Sequence, residues 1–63
     1  MRLREAAKGI VTAGDGTYRI GFNNGDETEF TAFNLAELEE LYHVFCKEEG
    51  IQQDTVDYVE RVG

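Results

Sequence analysis

The sequence predicts an α+β fold: an antiparallel β-meander packed against one amphipathic α-helix. Two observations carry this reading. Glycine-centred turns, "AGDG" at 13–16 and "NNGD" at 23–26, bracket a segment in which apolar and polar residues alternate. The stretch "NLAELEELYHVFCKEEG", 34–50, instead repeats apolar residues at helical spacing. At 63 residues the chain forms one domain at most. The meander has three strands, and the C-terminal segment offers a fourth.

The first element is ambiguous. Arg4-Glu5-Ala6-Ala7-Lys8 has helical propensity, whereas Ile10, Val11 and Thr12 prefer a strand. The strand is adopted, because the "AGDG" turn offers it an antiparallel partner. It would place Arg2, Arg4 and Lys8 on one face, and such charges also blunt an exposed edge. Next comes "TYRIGF", where Tyr18, Ile20 and Phe22 alternate with Thr17, Arg19 and Gly21, the signature of a half-buried strand. Asn24-Gly25 suits a type I′ hairpin, in which both central residues have positive φ. "TEFTAF" at 28–33 returns as a strand, with Phe30 and Ala32 on one face and Phe33 on the other.

Asn34 then opens the helix, with Glu37 three residues on in a capping pattern and Gly50 at the left-handed C-terminal position. The predicted span is 35–49. At about 100° per residue, Leu35, Leu38, Leu41, Tyr42 and Phe45 share one face, with Cys46 at its margin. Leu38, Leu41 and Phe45 are expected to pack on Tyr18, Ile20 and Phe30. The tail reads two ways. Val56, Val59 and Val62 have helical spacing with Asp54 as a cap, and Val56, Tyr58 and Val62 also share a strand face. Thr, Val and Tyr favour the strand.

Composition narrows the function classes. No apolar run approaches the roughly 20 residues that cross a bilayer, and "MRLREAAKGIV" lacks the apolar region of a signal peptide. A cytoplasmic, reducing setting is expected, with no membrane partner and with Cys46 free. One cysteine excludes an internal disulfide, and so short a chain builds only a marginal core. A homo-oligomer or a docked partner is the expected source of further stability. The net charge is −7 and uneven, +2 over residues 1–25 and −9 over residues 26–63. An acidic surface repels phosphates and attracts basic protein surfaces.

No residue set earns a catalytic or metal role, and no cofactor is expected. His43 and Cys46 supply two ligands where a structural zinc takes four. A Cys–His nucleophile pair lacks an orienting third group. Asp15 and Asp26 sit in glycine turns that use Asp for turn chemistry. "GDG" is not a phosphate loop, since the Walker lysine and a following helix are missing. The most informative surface is the helix face opposite the leucines. There Glu37, Glu40 and Glu48 surround Val44 in a ridge about 16 Å long at 1.5 Å per residue. Glu37, Glu40, Val44 and Glu48 are the candidate partner-binding residues. The alternative is a nucleic-acid-binding set of Arg2, Arg4, Lys8 and Arg19, with Tyr18 and Phe22 as stacking aromatics.

In size, acidity and a meander with one helix, the chain resembles the small proteins of phages and mobile elements, including the anti-CRISPR class. That resemblance implies an inhibitor or adaptor whose protein partner has a basic surface and processes nucleic acid, such as a CRISPR nuclease. The order "TYRIGF…TEFTAFNLAELEELYHVF" is also similar to the meander-then-helix of PC4-like single-strand-binding proteins. That similarity implies a nucleic-acid-binding or DNA-acting oligomer. A structural or regulatory homo-oligomer without catalysis is the third expectation.

Overall fold

The computed structural model describes all residues, 1–63, and places five elements in chain order. These are α1 (Leu3–Ala6), β1 (Gly16–Phe22), β2 (Glu27–Ala32), α2 (Leu35–Glu49) and β3 (Val56–Arg61). The strands form one antiparallel sheet in the order β2-β1-β3, with α2 packed against it. The predicted α+β class with an antiparallel sheet and a packed helix is therefore present. The C-terminal strand completes the sheet as its third member. It lies beside β1 and not beside β2, so β1 is central.

The N-terminal strand expected from "LREAAKGIVTA" does not form. Leu3 and Ala7 are four residues apart, share one side of a helical turn, and are both buried. Ile10, Val11 and Thr12 have strand propensity but no strand beside them, because β3 already occupies the free side of β1. Arg2, Arg4 and Lys8 therefore do not line a strand face.

In β1, Tyr18, Ile20 and Phe22 point into the core and are buried, while Thr17 and Arg19 face the other side. Gly16 is held by close approach: a Cβ there would stand 2.9 Å from the buried Tyr18 hydroxyl, which has no hydrogen-bond partner. The hairpin to β2 is not type I′, since of Asn24 and Gly25 only Gly25 has positive φ, +93°. Gly25 N–H donates to the Phe22 carbonyl at 3.0 Å, and Phe22 N–H to the Asp26 carbonyl at 2.8 Å. This is a bulged turn that needs one left-handed residue. The Asn24 side chain accepts from Asp26 N–H at 2.9 Å and locks it.

Helix α2 spans the predicted residues. Asn34 Oδ1 accepts from Glu37 N–H at 2.8 Å, and Glu37 Oε1 accepts from Phe33 N–H at 3.0 Å. Gly50 closes the helix in the left-handed conformation, φ +69°. The buried face, however, is turned from the predicted one. Leu38, Tyr42 and Cys46 are buried, whereas Leu41 is 37% exposed. On the side of α2 away from Leu41, α1 lies beside α2 and β3, and its Arg4 pairs with Glu39. The core joins Leu3 and Ala7 to Tyr18, Ile20, Phe22, Ala32, Leu38, Tyr42, Cys46, Val56 and Val59. Phe45 packs at the border, edge-on to Phe30 and stacked with Phe22.

Candidate partner-binding groove

Of the three strands α2 lies nearest β2, and α1 lies nearest β3. With Leu38, Tyr42 and Cys46 buried, the next sector of α2 overhangs the outer edge of the sheet. A groove of about 620 Å³ runs there, lined by Phe30 and Thr31 of β2 and by Glu37, Glu40, Leu41, Val44, Phe45 and Glu48 of α2. All four predicted partner-binding residues, Glu37, Glu40, Val44 and Glu48, are thus brought to one feature. Val44 is 48% exposed. Beside it, Leu41 stands clear of the core and supplies a second apolar contact.

The glutamates differ in their duties. Glu37 also caps the helix through Phe33 N–H, so its carboxylate is partly committed. Glu40 and Glu48 make no hydrogen bond or ion pair within the chain. They are free to meet a partner.

The basic residues do not gather. Arg4 pairs with Glu39 across the two helices, Nε to Oε1 at 3.0 Å. Arg19 lies on the opposite side of the sheet, held by Glu29 at 3.1 Å and Glu60 at 2.8 Å. Hydrogen bonding to Glu29, and then to Glu60, pushes its guanidinium further up from its ordinary value. Arg2 and Lys8 flank α1 and are exposed. Tyr18 and Phe22, the aromatics that would stack bases, are buried under the helices.

His43 and Cys46 also part company. His43 is exposed and meets the Gln53 side-chain amide through Nδ1, while Cys46 is buried in the core. Tyr42, one turn before Cys46, donates to the Gln53 carbonyl at 3.3 Å. Burial first, then the neighbouring Cys46 thiol, pushes the Tyr42 phenol well above its ordinary 10.0. No three His, Cys, Asp or Glu side chains converge as a metal-binding group. No helix is long and apolar enough to cross a membrane.

Sequence reasoning placed Leu41 in the core and so missed the apolar floor of the groove. A signal was present: Leu41 through Cys46 on the far side cover an arc of about 140° at 100° per residue, more than a narrow sheet can bury. Comparison of the chain with protein-family models, curated proteins and solved structures gives no match.

Proposed function

We propose that this chain is a small acidic protein-interaction module that inhibits or adapts a nucleic-acid-processing protein. It docks the groove between α2 and β2 on a basic, partly apolar surface of that partner. The observation that carries this reading is the exposure of Leu41 and Val44 side by side within a rim of Glu37, Glu40 and Glu48. An apolar centre with a charged rim is the usual anatomy of a specific interface. Proteins that handle nucleic acid carry the basic surfaces this rim complements. The likeness to the anti-CRISPR class makes a CRISPR nuclease the first partner to test and a phage or mobile element the expected origin.

The alternative nucleic-acid reading loses support, because Arg4 and Arg19 are already paired with carboxylates. A nuclease-inhibition assay separates the two. The double variant Glu40→Lys/Glu48→Lys should fold normally, since neither carboxylate has a partner in the chain, and should lose inhibition. The loss should resemble that of the wild type in 1 M salt, where the Debye length falls to about 3 Å. Equal inhibition by wild type and double variant refutes the groove. Tighter DNA binding by the wild type than by a variant with Arg2, Arg4 and Lys8 neutralised would favour the nucleic-acid reading.

A further inference from the structure

We infer that the groove recognises an extended segment of its partner by strand addition to the free edge of β2, the segment alternating apolar and basic residues. This rests on the groove reading above and names the chemistry of what enters it. The ladder pattern of the sheet fixes which backbone groups are free. Val62 N–H donates to the Thr17 carbonyl at 2.8 Å, and Thr17 N–H donates to the Gly63 carbonyl at 3.4 Å, so Thr17 directs its main-chain groups toward β3. At the other end of β1, Phe22 N–H bonds the Asp26 carbonyl on the β2 side. Antiparallel pairs alternate between bonded and non-bonded. Thr17, Arg19 and Gly21 face Thr31, Glu29 and Glu27 in the register, as non-bonded pairs. The N–H and C=O groups of Glu27, Glu29 and Thr31 therefore point away from β1, at an edge with which no other strand of the chain pairs.

The side chains along that edge specify the occupant. Thr28, Phe30 and Ala32 face the helices, and Phe30 continues into the floor formed by Phe45, Leu41 and Val44. Glu27, Glu29 and Thr31 face the other side. An added strand sets alternate side chains on opposite faces. One set would enter the groove and meet apolar side chains. The other would lie beside Glu27, which already accepts from the Tyr58 hydroxyl, and Glu29, already paired with Arg19. Glu27, Glu29 and Glu60 outnumber that one guanidinium on the face, so lysine or arginine is still complementary. Backbone pairing at an edge, with pockets for every second side chain, is a recurrent mode of peptide recognition. A second copy of β2 paired antiparallel about Glu29 would set that carboxylate against its own like charge.

The test uses the full chain labelled with nitrogen-15 and a short peptide in which lysine alternates with valine. A control peptide of the same composition has its lysines in one block. On binding the alternating peptide, the Glu27, Glu29 and Thr31 amides should gain protection from hydrogen exchange. Thr31→Pro removes one edge N–H and keeps the main-chain bonds to β1, while the Thr31 hydroxyl bond to Thr17 is lost equally in Thr31→Ala, and proline is tolerated where the N–H faces solvent. It should bind the peptide about three- to tenfold more weakly than Thr31→Ala, the loss expected of one hydrogen bond. The block peptide should bind about tenfold more weakly than the alternating one if register decides recognition. Equal affinity of Thr31→Pro and Thr31→Ala, or equal affinity of the two peptides, overturns strand addition. If Glu40→Lys/Glu48→Lys still abolishes binding in that event, the groove stands and only its mode of recognition is wrong. Edge protection that rises with protein concentration and without peptide would assign the edge to a second copy and overturn the proposal.

Discussion

Leu38 and Leu41 are one turn apart on α2, and truncating each should give sharply different results. Leu38 is fully buried in the core beneath α2, whereas Leu41 keeps 37% of its surface in water over the groove. Leu38→Ala removes a buried side chain and leaves a cavity, at a cost of about 3–5 kcal/mol. A domain of this length has a total stability of about 3–9 kcal/mol at 0.05–0.15 kcal/mol per residue. Leu38→Ala should therefore remove about a third or more of the total stability. Leu41→Ala loses a partly hydrated side chain with room to relax, and alanine is the better helix former. Its cost should be about 1–2 kcal/mol, the buried share of the roughly 1.5–3 kcal/mol for full burial, less the small helix-propensity gain. Urea titration followed by far-ultraviolet circular dichroism measures both, with equal slopes as the check that the unfolded states are alike. Equal losses of stability in the two variants would show that α2 buries its Leu41 side as deeply as its Leu38 side and that the groove is part of the core.

Three further outcomes are expected. Asn34→Ala should cost about 1 kcal/mol through loss of the helix cap, measured by the same titration. Stability should fall as pH rises above about 10. The folded state holds the Tyr42 proton, pushed up by burial, while the unfolded chain releases it near the ordinary value, so this stability is present below that pH and lost above it. Tyr42→Phe should flatten that decline when urea midpoints at neutral and alkaline pH are compared. Inhibition or binding of the partner should weaken steeply with salt, mainly through slower association, because the Glu40 and Glu48 carboxylates steer from an exposed rim; a salt-independent association rate in stopped flow would count against them.

What was legible in the chain was whatever local chemistry decides alone. Helix α2 could be read to its ends because Asn34, Glu37 and Gly50 each have a conformational task at a fixed place. Strands β1 and β2 followed from strict alternation around a glycine turn, although the turn type failed, since Asn24 keeps an ordinary φ and Gly25 alone supplies the left-handed residue. The rest depends on which elements meet. Leu3 and Ala7 make too short a turn to register against the strand propensity of Ile10 and Val11, and α1 is held by burial against α2 and β3. α1 and Leu41 lie on opposite sides of α2: Arg4 of α1 pairs with Glu39, while Leu41 lines the groove beside β2. Periodicity correctly grouped the apolar residues of α2, but a helix with an apolar arc this wide can bury either margin. Only the neighbour on one side determines that the other margin, with Val44 and its glutamates, is left for a partner.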